Sequence, residues 1–303
     1  MFDMENVDLN NAISYSCDSG FGHELVKRLD SKGFHVFATC LFPSGPGALE
    51  LQKSCSSKLQ ILHLDVTQAE SVKKAAIYVK ENLGSSEMWA VVNNAGILKG
   101  FSLEFSTMDD FENCINVNFL GMVRVTKEFV PLLKKAKGRV VNITSIVGEV
   151  PSPFMAPYAS SKYAAVGFTD CIRPELDMWG VSVVSIEPET FKTGLTAAET
   201  INSMADSALK NMGTSVIKEY GEDYIESFKR LRSYCFYLCS DKISLVIDDL
   251  VSAVTLKHPK LTYKPRINIL RRFFCLCYEV MPRETQEEIH SVKLVSRDGV
   301  MVF

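Results

Sequence analysis

Residues 145–162 read Ser145-Ile-Val-Gly-Glu-Val-Pro-Ser-Pro-Phe-Met-Ala-Pro-Tyr158-Ala-Ser-Ser-Lys162, and the rest of the chain can be laid out around them. Tyr158 and Lys162 are four residues apart, so on a helix their side chains share a face, one turn from each other. An ammonium beside a phenol favours the phenolate, which brings the hydroxyl into play as a proton shuttle below its free pKa of about 10. Just upstream, Arg139-Val-Val-Asn-Ile-Thr144 is an apolar run that reads as a buried strand ending before Ser145. A serine hydroxyl at that strand end could bond the same substrate oxygen as the tyrosine. These three groups suit moving a proton on or off an alcohol while a hydride leaves or reaches its carbon. A lone Tyr-x-x-x-Lys is more often a solvated surface pair, so its neighbours must decide.

Working outward, those neighbours fall in a fixed order. Gly20-Phe-Gly22 opens an amphipathic helix that ends near Gly33, with Phe21, Leu25, Val26 and Leu29 on one face. Its N-terminus is a place for phosphates. Strands are expected over Phe34–Cys40, Leu59–Leu64, Met88–Val92, Arg139–Thr144 and Val181–Ile186, with a short last strand at Leu261–Lys264. Helices are expected from Thr67, whose Thr67-Gln-Ala-Glu70 reads as a capping box, to Leu83, from Thr107 to about Lys137, from the tyrosine to about Gly180, and over Asp248–Leu256. Strands alternating with helices predict one α/β domain over 1–303, a doubly wound, Rossmann-like parallel sheet with helices on both faces. Residues 195–240, helix-like with mixed polarity, form the expected substrate cap, and 266–303 a C-terminal tail.

Composition narrows the class. A net charge of −3 offers no basic face for nucleic acid. The nine cysteines are scattered, with no CxxC and no zinc spacing, and the five histidines are dispersed, so reduced core thiols and no metal site are expected. Cys275-x-Cys277 reads as packing. No run of 18 apolar residues crosses a membrane, and the acidic, arginine-free N-terminus is neither a secretory signal nor a mitochondrial presequence. The tail from Ile267 to Met281 is apolar beside Arg266, Arg271 and Arg272. It suits either peripheral contact with a membrane interface or a packed core or dimer helix.

The set DSGFG (Asp18 to Gly22), LDVT (Leu64 to Thr67), NNAG (93 to 96), NVNFLG (Asn116 to Gly121), RVVNITS (139 to 145), YASSK (158 to 162) and IEP (Ile186 to Pro188) resembles the short-chain dehydrogenase/reductase family. The resemblance covers roughly Asn11 to Pro265. It is similar in particular to the branch holding D-3-hydroxybutyrate, retinol and 17β-hydroxysteroid dehydrogenases, through CDSGFG (17 to 22), SKGFHVFATCL (31 to 41) and YGEDY (220 to 224). The resemblance implies an alcohol/carbonyl oxidoreductase with Tyr158 as acid/base, Lys162 lowering its pKa and holding the nicotinamide ribose, and Ser145 steadying the substrate oxygen. It gives Asn118 a place in a proton relay through its main-chain carbonyl. It implies a dinucleotide held by Ser19, Gly20, Phe21 and Gly22, with Asp65 at the adenine. Asn93, Ala95, Gly96, Tyr158, Lys162, Pro188 and Thr193 complete the cofactor contacts. Cys40-Leu41-Phe42-Pro43 carries no cation for a 2′-phosphate, which favours NAD over NADP. The substrate is then a small-molecule hydroxy acid or a steroid or retinoid. By family, a homodimer or homotetramer associated with mitochondria or endoplasmic reticulum is expected.

Two positions depart from the family pattern. Tyr15-Ser16 stands where Thr-Gly is expected, after a first strand, Asn10–Ser16, poor in apolar residues. Glu189 stands where a glycine follows Pro188, and a carboxylate near the pyrophosphate is unfavourable unless it turns out to solvent. Together they keep open a cofactor-poor pseudoenzyme acting as a binding or scaffold protein. Lys192 could receive a substrate carboxylate, though a solvated lysine is the commoner case. Phe154 and Met155 fit a pocket wall or the core.

Overall fold

The structure is a computed structural model, and it describes residues 11–14, 16–101, 103–152, 154–221 and 239–268, with 273, 277, 278, 281, 282, 284 and 285. Seven parallel strands form one sheet: β1 (Asn11–Ser14), β2 (Val36–Cys40), β3 (Leu59–His63), β4 (Met88–Asn93), β5 (Arg139–Ile143), β6 (Ser182–Ile186) and β7 (Thr262–Tyr263). Their order is 3-2-1-4-5-6-7. The chain winds outward from β1 to β3 and restarts on the other side at β4. The carboxyl ends of β1 and β4 therefore flank the crevice where this architecture binds ligands.

The alternation along β1 assigns the helices to faces. Ala12 packs in one core with Leu25 and Leu29 of α1 (Gly20–Ser31), Leu51 of α2 (Pro46–Ser54) and Leu250 of a helix over Ser244–Thr255. Ile13 packs in the other with Val72 of α3 (Ala69–Asn82). Phe129 of α5 (Met122–Ala136) and Leu176 of α6 (Ala156–Asp177) share that second core. Between α3 and α5 lie α4 (Met108–Cys114) and a π-helical segment, Ile115–Gly121. After β6 come α7 (Ala198–Asn211), α8 (Thr214–Tyr220) and the Ser244–Thr255 helix, α9. Ala208 and Met212 pack on Phe105, fastening α7 and its exit to the turn at Leu103–Phe105.

Several expectations change. The capping box at Thr67 does not form: the Thr67 hydroxyl donates to Asp65 Oδ1 at 2.7 Å, and Gln68 caps α3 without a side-chain bond. Asp65 competes successfully because it lies two residues back, a tight side-chain turn. α2 was unforeseen, although Gly45-Pro46 is a helix start with Pro at N1. α9 begins four residues before Asp248. The weak first strand is real but short: all four residues of β1 are buried, with Asn11 Oδ1 and Ser14 Oγ lacking a hydrogen-bond partner. Tyr15, cap residues 222–238 and most of the tail, Cys275 included, lie outside the described residues. No helix among the described residues is long and apolar enough to cross a membrane.

Candidate active site

Ser145 leaves β5 in extended backbone and caps a short turn, Ile146–Gly148, its Oγ accepting from the Val147 N–H at 3.3 Å. The turn is stitched to the next strand's exit by Ile146 N–H to Pro188 O, 3.0 Å. It lies directly on α6: a Cβ on Gly148 would meet Lys162 O at 2.7 Å, so glycine is required there. This contact aims the first turn of α6 at the strand end, so that Tyr158 and Ser145 line the same cavity. Lys162 lies one turn on, buried, with Nζ 5.7 Å from the Tyr158 ring centre and donating to Ile143 O at 3.0 Å. Lys162 is thus interior, while Tyr158 is half-buried at the cavity.

The electrostatics correct the sequence expectation. Tyr158 is pushed up to about 12, first by burial of its hydroxyl, with the Ser145 hydroxyl pulling the other way and the Cys114 thiol adding to the rise. Burial brings Lys162 down to about 8. Ammonium and phenolate are both disfavoured by the low dielectric. Desolvation outweighs any lowering of the tyrosine by the lysine.

Asn118 sits in the middle of the π-helical segment and is buried. Its Oδ1 accepts from Ile97 N–H at 2.8 Å, while Nδ2 donates to Ile97 O and Ser161 Oγ, each at 2.9 Å. The amide is fully engaged, so any relay role falls to the main chain, whose i−4 hydrogen-bond pattern is interrupted there. Gly121 ends the segment because a Cβ would strike Val66 Cγ2 at 2.7 Å.

A cavity of about 240 Å³ opens beside Tyr158. Its wall takes in Ser19, Gly20, Phe21, Gly96, Ser145, Lys162, Pro188 and Thr193, all expected from sequence. It also takes in Ser16, Asn94, Leu98, Met155 and Leu195. Gly22, Asp65, Asn93, Ala95 and Asn118 are not among the residues that line it. Gly22 is held by space: a Cβ would come within 2.5 Å of Asn94 Nδ2 and 2.8 Å of Ser16 O. Asn93 is a buried brace, bonded to Thr126 and Asn142. Asn94, missed in the sequence, donates to Ser16 O at 2.9 Å. Ser16 itself has φ +56, the left-handed region where the family's glycine is at ease.

The cleft fits a dinucleotide. The first N–H groups of α1 carry no side-chain cap, so they stay free for an anion. Asp18 marks the end of β2, its carboxylate accepting from Leu41 N–H at 2.9 Å and Phe42 N–H at 3.1 Å. Glu189 does not turn to solvent. It is buried, and its Oε2 accepts from Ile267 N–H at 2.8 Å. Lys192 is exposed, and Phe154 is half-buried with φ +64. Among the described residues no group of histidine, cysteine and carboxylate side chains could hold a metal.

A parallel sheet with its switch-point crevice, a glycine-bearing helix start and a Ser-Tyr-Lys cluster on the cleft wall define a nicotinamide-nucleotide oxidoreductase acting on an alcohol or carbonyl. The chain belongs to the short chain dehydrogenase family, whose pattern it matches over residues 10–203. It is 40% identical over 265 residues to mouse estradiol 17-beta-dehydrogenase 2, spanning 87% of this chain and 70% of that one. It is 40% identical to rat mitochondrial D-beta-hydroxybutyrate dehydrogenase, over 82% of this chain and 74% of that one. In fold it is similar to a short chain dehydrogenase from Burkholderia phymatum in complex with NAD: TM-score 0.71, 18% identity, 96% and 97% of the two chains covered.

Proposed function

We propose that the protein oxidises a hydroxyl on a largely apolar molecule of the steroid or retinoid class, with NAD as hydride acceptor. The observation that carries the reading is the convergence of Ser145, Tyr158 and Lys162 on the wall of one cleft, with Lys162 one turn beyond the tyrosine. Tyr158 takes the alcohol proton, Ser145 fixes the oxygen, and Lys162 supplies positive charge to the phenolate. Asn118 holds the relay's far end through its backbone. The nicotinamide, when bound, supplies the hydride acceptor. Leu98, Met155 and Leu195 give the wall an apolar character. Among its described residues the cation is Lys162, already donating to Ile143 O. A substrate carboxylate, as in 3-hydroxybutyrate, would find no free cation there. Asp18, at the strand end that reads the ribose, disfavours a 2′-phosphate, and Leu41–Gly45 offers no arginine or lysine to receive one. Glu189, buried on the cavity wall with Oε2 bonded to Ile267 N–H, leaves one of the two grounds for a pseudoenzyme standing, to be decided by nucleotide binding.

The test is nucleotide absorbance at 340 nm with NAD or NADP and a panel of steroid, retinoid and 3-hydroxy-acid alcohols. Turnover of an apolar alcohol with NAD is expected, falling roughly 10²–10⁴-fold in Tyr158→Phe. Turnover confined to the hydroxy acid would overturn the substrate assignment. No turnover, together with no nucleotide binding, would favour the pseudoenzyme.

A further inference from the structure

Behind the Ser145 turn lies a group of charges that the hydride chemistry does not use. Glu187 leaves β6 with its side chain 3% exposed. Its Oε2 is 3.6 Å from Lys264 Nζ, and Lys264 Nζ is 2.8 Å from Glu149 Oε2. Glu187 Oε2 is buried and accepts no hydrogen bond, and the single Lys264 ammonium faces both carboxyls. Two carboxyls set around one ammonium are neutral together only with a proton on one of them. Both carboxyl-bearing residues belong to the frame of the active site. Glu149 N–H donates to Ile146 O at 3.0 Å, and Glu149 O accepts from Tyr163 Oη at 2.9 Å on α6. Ser185 Oγ is 3.0 Å from Thr144 Oγ1, beside Ser145. Pro188, next to Glu187, holds the Ile146 N–H.

We propose that Glu187 is a positioning residue: one proton shared between Glu187 and Glu149, under the Lys264 ammonium, clamps the Ser145 turn to the Pro188 wall. With that proton the group is neutral, two carboxyls and one ammonium carrying a single ionised acid. Without it a net negative charge is buried and the two carboxylates repel. The other charged neighbours do not relieve this: Arg266 is bonded to the Glu187 main-chain oxygen, and Glu189 to Ile267. Consistent with the geometry, Glu187 is raised to about 7, first by burial, then by Glu149, with Lys264 opposing. The folded-state value exceeds the unfolded one, so this stabilisation is complete below the ordinary carboxyl range. It is lost as pH rises through about 7.

The inference rests on the proposed function for its kinetic arm only. Wild type should lose several degrees of Tm between pH 5.5 and 8, and its KM for the alcohol should rise several-fold with little change in kcat. Glu187→Gln, which mimics the protonated acid, should flatten both profiles, and Glu149→Gln, at the more exposed partner, should do the same. Unchanged slopes in both variants would overturn the shared proton. Flattened Tm profiles with a pH-independent KM would overturn the positioning role. If no alcohol turns over at any pH, the proposed function fails while the Tm comparison still decides the proton.

Discussion

At the scale of single residues, Ser16 and Lys162 show what the site costs the fold. Ser16 holds a left-handed backbone at the cofactor turn, pinned by Asn94. Ser16→Gly should gain about 1 kcal/mol in denaturant unfolding by releasing the Cβ from this conformation. It should also tighten NAD binding, read by nucleotide fluorescence, since the serine lines the cleft. Lys162 is a buried ammonium lowered to about 8. A depressed folded-state value means stability is lost as pH falls through it. Lys162→Met should therefore abolish turnover yet raise Tm at pH 7, and the gain should shrink as pH rises above about 8. An unchanged or lower Tm at pH 7 would mean the bond to Ile143 O outweighs the desolvation. The residue types of the catalytic cluster were legible because their spacing is dictated by one helix. The inverted balance of the tyrosine and lysine was not, because desolvation is a property of the assembled interior.

Among the elements, the turn over Ile146–Gly148 sets the distance between β5 and α6. Gly148→Ala would drive a Cβ into the Lys162 carbonyl, a backbone group that cannot swing away. A loss of about 1–3 kcal/mol is expected by chemical denaturation, with kcat falling as Ser145 moves off Tyr158. Wild-type stability in this variant would show that the turn can slide. Strands and the longer helices were readable from their apolar periodicity, and β2 to β6 fall within two residues of expectation at each end. Three features escaped. α2 was hidden in a Gly-Pro-Gly stretch that also reads as loop. The failed Thr67 cap was decided by Asp65 outbidding the helix for a hydroxyl. At Asn118 the chain takes a π register and the side chain bonds Ile97, 21 residues away, which no local pattern reports.

For the molecule as a whole, the sheet order could be inferred from strands alternating with helices. The role of the segment after β7 could not. Three bonds from it, and one from β7 itself, reach the floor of the cleft. Tyr263 O and Pro265 O accept from Glu187 and Glu189 N–H, Arg266 donates to Glu187 O, and Glu189 accepts from Ile267 N–H. Glu189, a misfit by motif, is thereby explained as an anchor, and its distance in sequence from its partner kept it illegible. Cleavage near Lys264 by limited proteolysis should weaken NADH binding many-fold, while far-UV circular dichroism barely changes. Equal losses of both would make the segment a general support. Activity in this protein is thus exposed to damage at a place remote in sequence from its chemistry. Wear on the stretch around Lys264 would silence the catalyst while leaving its scaffold standing.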